Sequence, residues 1–231
     1  MLKFLGRGSA FNTDEGNTSA YYLKDDVLLL IDCGTDVFKK VKDKGLLDAC
    51  NTIYVAITHL HSDHAGSLSS VIEYCYYKFN KTVTIIFPSK KDIIDKLKSD
   101  GVDPELYNIH TSSLISDKLG LSLRAVKTVH VDNLKCYSYT ILFSNGTYVY
   151  YSGDTSMPAD KLIYILNMNN SIIYHDCCVF DYDGNVHTSL RLLCEAIPEH
   201  LRYKVYCMHF DYSVTIDKAK ECGFNIVEIE K

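Results

Sequence analysis

The stretch Thr58-His59-Leu60-His61-Ser62-Asp63-His64-Ala65-Gly66 sets three imidazoles and one carboxylate within six positions, directly behind the apolar run Ile53 to Ile57. Nothing else in the chain constrains it so tightly. A strand must end here, because the run of apolar side chains stops and a cluster of ligand-type groups begins. Extended backbone puts His59 and His61 on one side, and the turn into the following helix aims Asp63 and His64 at a neighbouring point. Imidazole nitrogen and carboxylate oxygen suit borderline divalent ions such as zinc. A structural zinc site would normally include thiolates, and this cluster has none, so the pattern points to a catalytic metal rather than to a capped polar loop.

The rest of the chain alternates short apolar runs with longer amphipathic ones, which predicts an α/β fold over residues 1–231 as one domain. Expected strands are Tyr21 to Lys24 and Val27 to Ile31, turned at Asp25-Asp26, then Thr52 to Ile57, Thr82 to Phe87, Ser122 to Val129, Tyr137 to Phe143 and Thr147 to Tyr151. Ile172 to Tyr174, Lys204 to Met208 and Asn225 to Ile229 complete the set. Leu68, Val71, Ile72, Cys75 and Phe79 fall at helical spacing. Further helices are expected at Lys90 to Ser99, Ala159 to Asn167, Ser189 to Ile197 and Ile216 to Cys222.

On this frame the polar residues gather at strand ends. Asp32, His59, Asp154, Asp176 and His209 each stand at or just past an apolar run, and His130 follows Leu123 to Val129. The rim at the strand ends is where α/β folds place their chemistry.

Composition narrows the partners. The 29 acidic residues outnumber the 24 Lys and Arg, giving a net charge of −5. Arginine occurs only at Arg7, Arg124, Arg191 and Arg202, so a large nucleic acid is disfavoured. Nine cysteines, an odd number with no Cys-x-x-Cys pair, predict free thiols and a cytoplasmic location. The opening Met1-Leu2-Lys3-Phe4-Leu5-Gly6 is too short in its apolar part for a signal peptide, and no segment approaches the ~20 apolar residues that span a bilayer.

Asp32 in Leu28-Leu29-Leu30-Ile31-Asp32-Cys33-Gly34, the His-x-His-x-Asp-His block, His130, Gly153-Asp154-Thr155 and His209 occur in that order. In this the chain resembles the metallo-β-lactamase fold superfamily over its full length. The opening Phe4-Leu5-Gly6-Arg7-Gly8-Ser9-Ala10 and the later His187-Thr188-Ser189 are similar to the tRNase Z branch of phosphodiesterases. The resemblance implies a four-layer αββα sandwich, with two mixed β-sheets flanked by helices and a dinuclear zinc centre at one edge. It implies one metal held by His59, His61 and His130, another by Asp63, His64 and His209, and Asp154 bridging them. Manganese or cobalt could replace zinc. Asp63, His187 and Asp176 would be the catalytic groups: His187 as the general acid, and Asp176, one carbon shorter than the branch's usual Glu, orienting it. Asp32 would accept the spare ring N–H of a ligand histidine.

The long basic arm with which classical tRNase Z enzymes grip tRNA has no counterpart here. Gly66 to Val129 reads as a helix, a strand, a second helix and a short loop. In size and motif layout the chain is similar to compact members of the branch, among them phage anti-Pycsar enzymes that open cyclic mononucleotides. That implies hydrolysis of 3′,5′-cyclic nucleotides by a homodimer, in the host cytoplasm if the gene is a phage's. RNA 3′-end processing and a nucleotide-binding sponge are the alternatives. The opening glycines and Asn17-Thr18-Ser19 either donate backbone N–H and hydroxyl groups to a phosphate or simply form a tight turn. The 18 tyrosines offer faces on which a base can stack.

Overall fold

The computed structural model describes residues 1–158 and 161–230. A first sheet runs in chain order through β1 (Lys3–Gly6), β2 (Ser19–Lys24), β3 (Val27–Ile31), β4 (Thr52–Ala56), β5 (Val83–Ile86) and β6 (Tyr107–His110). A second contains β7 (Leu114–Ser116), β8 (Leu121–Thr128), β9 (Cys136–Phe143), β10 (Tyr148–Tyr151), β11 (Ser171–Asp176), β12 (Val205–Met208) and β13 (Asn225–Ile226). Each is antiparallel at one side and parallel at the other, with parallel pairing from β3 to β6 and from β10 to β13.

The layering follows from strand periodicity. In β3, Leu28 and Leu30 join the core under helices Val37–Asp43, Leu46–Ala49, Leu68–Phe79 and Lys90–Ser99. Val27, Leu29 and Ile31 face the other way and meet Leu123, Tyr139, Ile141 and Tyr151 of the second sheet. Both faces are covered, which is why the strand reads as an unbroken apolar run. The second sheet buries its outer face under helices Leu162–Leu166, Leu190–Ala196 and Ser213–Glu221. The result is the expected four-layer αββα sandwich.

Several elements depart from the sequence expectation. Helices Val37–Asp43 and Leu46–Ala49 and strands β6 and β7 were not anticipated, so the stretch from Gly66 to Val129 holds more than a helix, strand, helix and loop. Each spans two periods or fewer, too few repeats to stand out in the sequence. The last helix starts at Ser213, and β13 covers two residues rather than five. Ala159, the expected start of the helix ending near Asn167, lies outside the described residues. All nine cysteines are free, and all but Cys194 and Cys222 are buried. Among the described residues no helix is long and apolar enough to cross a membrane.

The two sheets are tied together at the rim that carries the histidine block. The Tyr139 hydroxyl donates to the carbonyls of Ile57 (2.8 Å) and Ile86 (2.9 Å), closing the ends of β4 and β5 against the second sheet. The Tyr137 backbone N–H donates to Thr58 O (2.9 Å), which sets the strand exit just ahead of His59.

Candidate metal centre

Six strands, β3, β4, β8, β10, β11 and β12, end at this rim, and two glycines let the segments that leave them approach. A side chain at Gly34 would fall 2.1 Å from the Asp63 carbonyl, and one at Gly153 would strike Thr58. Asp32 and His209 take the left-handed backbone conformation (φ +63° and +62°), which is costly for residues with side chains and concentrates at functional sites. The turn at Asp32 aims its carboxylate at the histidine block. Oδ1 accepts from Thr58 N–H (2.7 Å), and Oδ2 accepts from the Thr58 hydroxyl (3.0 Å) and meets His64 Nδ1 (2.9 Å).

The structure brings all seven expected ligand residues together. His59, His61, His130 and Asp154 each present an atom within 4.8 Å of the others, and so do Asp63, His64, Asp154 and His209. Asp154 belongs to both groups. A third group joins Asp154 to Asp176, His187 and His209. All are buried except His61 and His187, which are partly open.

Outer contacts fix which ring nitrogen of each histidine carries the proton. His64 Nδ1–H donates to Asp32, His130 Nδ1–H to the Val186 carbonyl (2.8 Å), and His59 Nδ1–H to the Thr58 hydroxyl (3.1 Å). With Nδ1 engaged in this way, the Nε2 atoms of all three rings turn inward. His59 Nε2 and His130 Nε2 face His61 Nδ1 at 2.8 and 3.4 Å, and His64 Nε2 faces His209 Nε2 at 3.3 Å. Lone pairs so close repel unless a cation or a proton lies between them. Asp154 Oδ1 is buried and left without a hydrogen-bond partner, with His64 Nε2 3.2 Å away. This all-nitrogen and oxygen donor set fits divalent cations.

Charge divides the centre. Burial holds the His59, His61 and His130 imidazoles below their usual pKa, so these rings are neutral near pH 7. Burial also opposes charge on His64 and His209, but Asp154, with Asp32 and Asp63 for His64 and Asp176 and Asp63 for His209, outweighs it. His64 is driven well up and His209 to about 10. Conversely, burial disfavours the Asp154 and Asp63 carboxylates, yet the surrounding imidazoles pull both well down.

His187 stands beside the centre, with Nδ1 2.9 Å from Asp176 Oδ2 and 3.9 Å from Asp154. The shorter aspartate thus reaches its partner. Although burial works against ionisation, His187 and His209 bring Asp176 down to about 2, and Asp176 in turn raises His187 against its own burial. A cavity of about 480 Å³ opens over His61, Asp63, His130, Asp154, His187 and His209.

Of the two readings left open for the glycine-containing opening, the structure supports the tight turn. The backbone N–H groups of Arg7, Gly8 and Ser9 are spent on Glu15, Gly16 and Phe210 carbonyls, the Asn17 N–H is held by Asp36, and the Thr18 and Ser19 hydroxyls donate to backbone carbonyls. The opening segment is a closed turn and offers none of these donors to a phosphate. Sequence reasoning missed the hub role of Thr58 and the Val186 carbonyl. A lone threonine and a backbone oxygen carry no signal in a pattern of ligand types.

Comparison with known proteins agrees with this architecture. The structure superimposes on the metallo-β-lactamase fold protein YhfI from Bacillus subtilis with a TM-score of 0.76 and 18% identity, over all of this chain and 95% of the other. An anti-Pycsar protein Apyc1 from Paenibacillus harenae is 30% identical, over the whole chain and 98% of the relative. One from Bacillus phage 010DV004 is 30% identical over 90% and 88% of the two chains. The family profile described as anti-Pycsar protein Apyc1 matches residues 1–230. The chain belongs to the Apyc1 family of anti-Pycsar proteins.

Proposed function

We propose that the chain is a zinc-dependent phosphodiesterase that opens 3′,5′-cyclic nucleotides to linear nucleoside monophosphates, acting as an anti-defence enzyme in the cytoplasm. The observation that carries this reading is Asp154, common to two ligand clusters, with the Asp176-bound His187 beside it in one cavity. His59, His61 and His130 would hold one metal, Asp63, His64 and His209 the other, and Asp154 both. Two divalent cations held there would supply Lewis acidity, screening phosphate charge and acidifying water within reach.

The chain's own groups do the rest. Asp63, on the cavity wall, accepts a hydrogen bond from the attacking water and keeps it directed at phosphorus. His187, held by its Nδ1–H on Asp176, presents the proton of Nε2 to the departing sugar oxygen. One P–O bond forms from water and one breaks; one proton of the water stays on the phosphate monoester and the other restores His187. Asp32 holds His64 in the tautomer that leaves Nε2 free for a cation.

The substrate is small on two grounds: the cavity has the volume of a mononucleotide-scale site, and a net charge of −5 repels a polyanion. The working form is a homodimer whose neighbouring loops cover the pocket. The test is a panel of cyclic mononucleotides, cyclic dinucleotides and a precursor tRNA, incubated with and without chelator and resolved by chromatography. Chelator-sensitive conversion of cyclic mononucleotides supports the reading. Comparable cleavage of precursor tRNA, or tight nucleotide binding without turnover, overturns it. Light scattering at twice 26.2 kDa is the expected mass.

A further inference from the structure

Phe11 is 96% exposed, yet it lines the same cavity as the metal-ligand cluster. A single exposed aromatic is ordinary on a protein surface. This one is pinned. The Asn12 N–H closes a turn on the Ser9 carbonyl (3.2 Å), and both the Ser9 N–H (2.9 Å) and the Asn12 side-chain amide (3.0 Å) grip the carbonyl of Phe210. Phe210 follows His209, so the turn that carries Phe11 is fastened to the strand end that delivers one of the candidate ligands.

A second, separate segment brings aromatics to the same mouth. Phe180 is half exposed and stands edge-on to Tyr212, with ring centroids 5.8 Å apart and planes at 75°. Tyr182 lies two residues on and is also exposed. Their loop is braced: the Asn185 amide donates to the Phe180 carbonyl (2.9 Å), its backbone N–H to Tyr182 O (3.1 Å), and the Val179 N–H to Asp211 (3.2 Å). The loop ends at His187. Three exposed rings are thus held on two rigid supports around the opening over the phosphate chemistry, where burying them inside the protein would cost less in exposed apolar surface.

We propose that this aromatic mouth is the subsite for the substrate's planar heterocyclic base, with Phe11 the principal stacking face. The proposal rests on the phosphodiesterase reading and adds to it the means by which the non-reacting part of the substrate is gripped. Stacking on one aromatic ring is strong enough to change affinity by about ten-fold or more.

The test compares cyclic AMP with its base-free counterpart, 1-deoxyribose 3′,5′-cyclic phosphate, on metal-loaded enzyme. The readout is the ratio of the two kcat/KM values. Phe11→Ala and Phe11→Leu are expected to cut that ratio about ten-fold, Phe11→Tyr to keep it, and Phe180→Leu to lower it less. Titration of AMP against ribose 5-phosphate is expected to show the same loss in binding. A ratio unchanged by Phe11→Ala, while wild-type enzyme opens cyclic AMP, overturns the subsite and leaves the phosphodiesterase reading standing. Wild-type enzyme that cleaves an aryl phosphodiester but no cyclic nucleotide overturns both. A halved mass of Phe11→Ala in light scattering assigns the ring to an interface between two copies, which also overturns the subsite.

Discussion

His59, His61 and His130 meet Asp154 as three neutral rings, whereas His64 and His209 meet it with Asp63 as a second carboxylate and with Asp32 and Asp176 behind them. The same histidine chemistry serves on both sides. What differs is the number of carboxylates within reach, and so the field each cluster offers a divalent cation. The second cluster is also the more deeply buried, since His61 of the first is partly open to the cavity. Loaded as proposed, such a centre would hold one cation by charge and the other mainly by imidazole coordination, the latter on the side open to the cavity.

The largest expected effect removes what the clusters share. Asp154→Ala strips both of their common carboxylate, and elemental analysis is expected to find both metals lost along with all measurable activity. Retention of one full metal equivalent would mean the clusters are independent, and the comparison would fail. His187→Ala tests the neighbouring group without removing a proposed ligand of either cluster. It is expected to keep both metals and to lose about 10²–10⁴-fold in kcat, the usual contribution of a placed proton donor. Near-native turnover would sink the assignment of His187.

Why these residues could be read from the sequence is itself a matter of spacing. The His59 to His64 block follows an apolar strand with no room for another use, and Asp32, Asp154 and His209 each end a run that must be buried. The αββα layering follows from β3, whose unbroken apolar run demands cover on both faces. Short elements such as Leu46–Ala49 and β7 span barely more than one hydrophobic period, so no repeat shows. Tyr139, one of 18 tyrosines, clamps two strand ends through its hydroxyl, and Phe11 lies bare at the cavity mouth. Composition cannot distinguish these two aromatics, because burial is decided by contacts remote in sequence. The glycine-containing opening could not be decided from sequence for a related reason: a turn that spends its N–H groups internally has the same composition as one that offers them.

Chelation sharpens the contrast between the clusters. Titration with a chelator, followed by metal analysis, is expected to proceed in two steps, the imidazole-rich cluster emptying first. Asp63→Asn is expected to narrow or reverse that order, because it removes the carboxylate that only the second cluster owns. Asp32→Asn acts more gently. The amide still accepts through its oxygen but no longer favours the His64 tautomer by charge, and a 10–100-fold loss of metal affinity is expected, confined to the second step. An equal shift in both steps would show that Asp32 supports the fold rather than one histidine.

The smallest effect lies outside the site, where carboxylate and cations meet in water. Glu230 receives Lys3 (2.6 Å) and the Tyr21 hydroxyl, with Lys44 at 3.6 Å, and stitches the chain end to β1 and β2. Burial is the largest single influence and pushes its carboxyl up, but these donors together outweigh it and hold the pKa below the ordinary glutamate value. A depressed folded pKa means that the stabilisation is complete above the unfolded value, about 4.5, and disappears as pH falls through the folded one. The side chain keeps 28% of its surface exposed, so solvent screening limits the gain to at most about 1 kcal/mol. Glu230→Gln is therefore expected to lower Tm by no more than about 2–4 °C at pH 7, with the gap to wild type closing as pH is taken below 4.5. A gap that persists in acid would mean that Glu230 acts through packing instead. The contrast with Asp154 would then rest on burial alone, since a carboxylate ringed by cations in solvent contributes tenths where one ringed by imidazoles in the core organises a site.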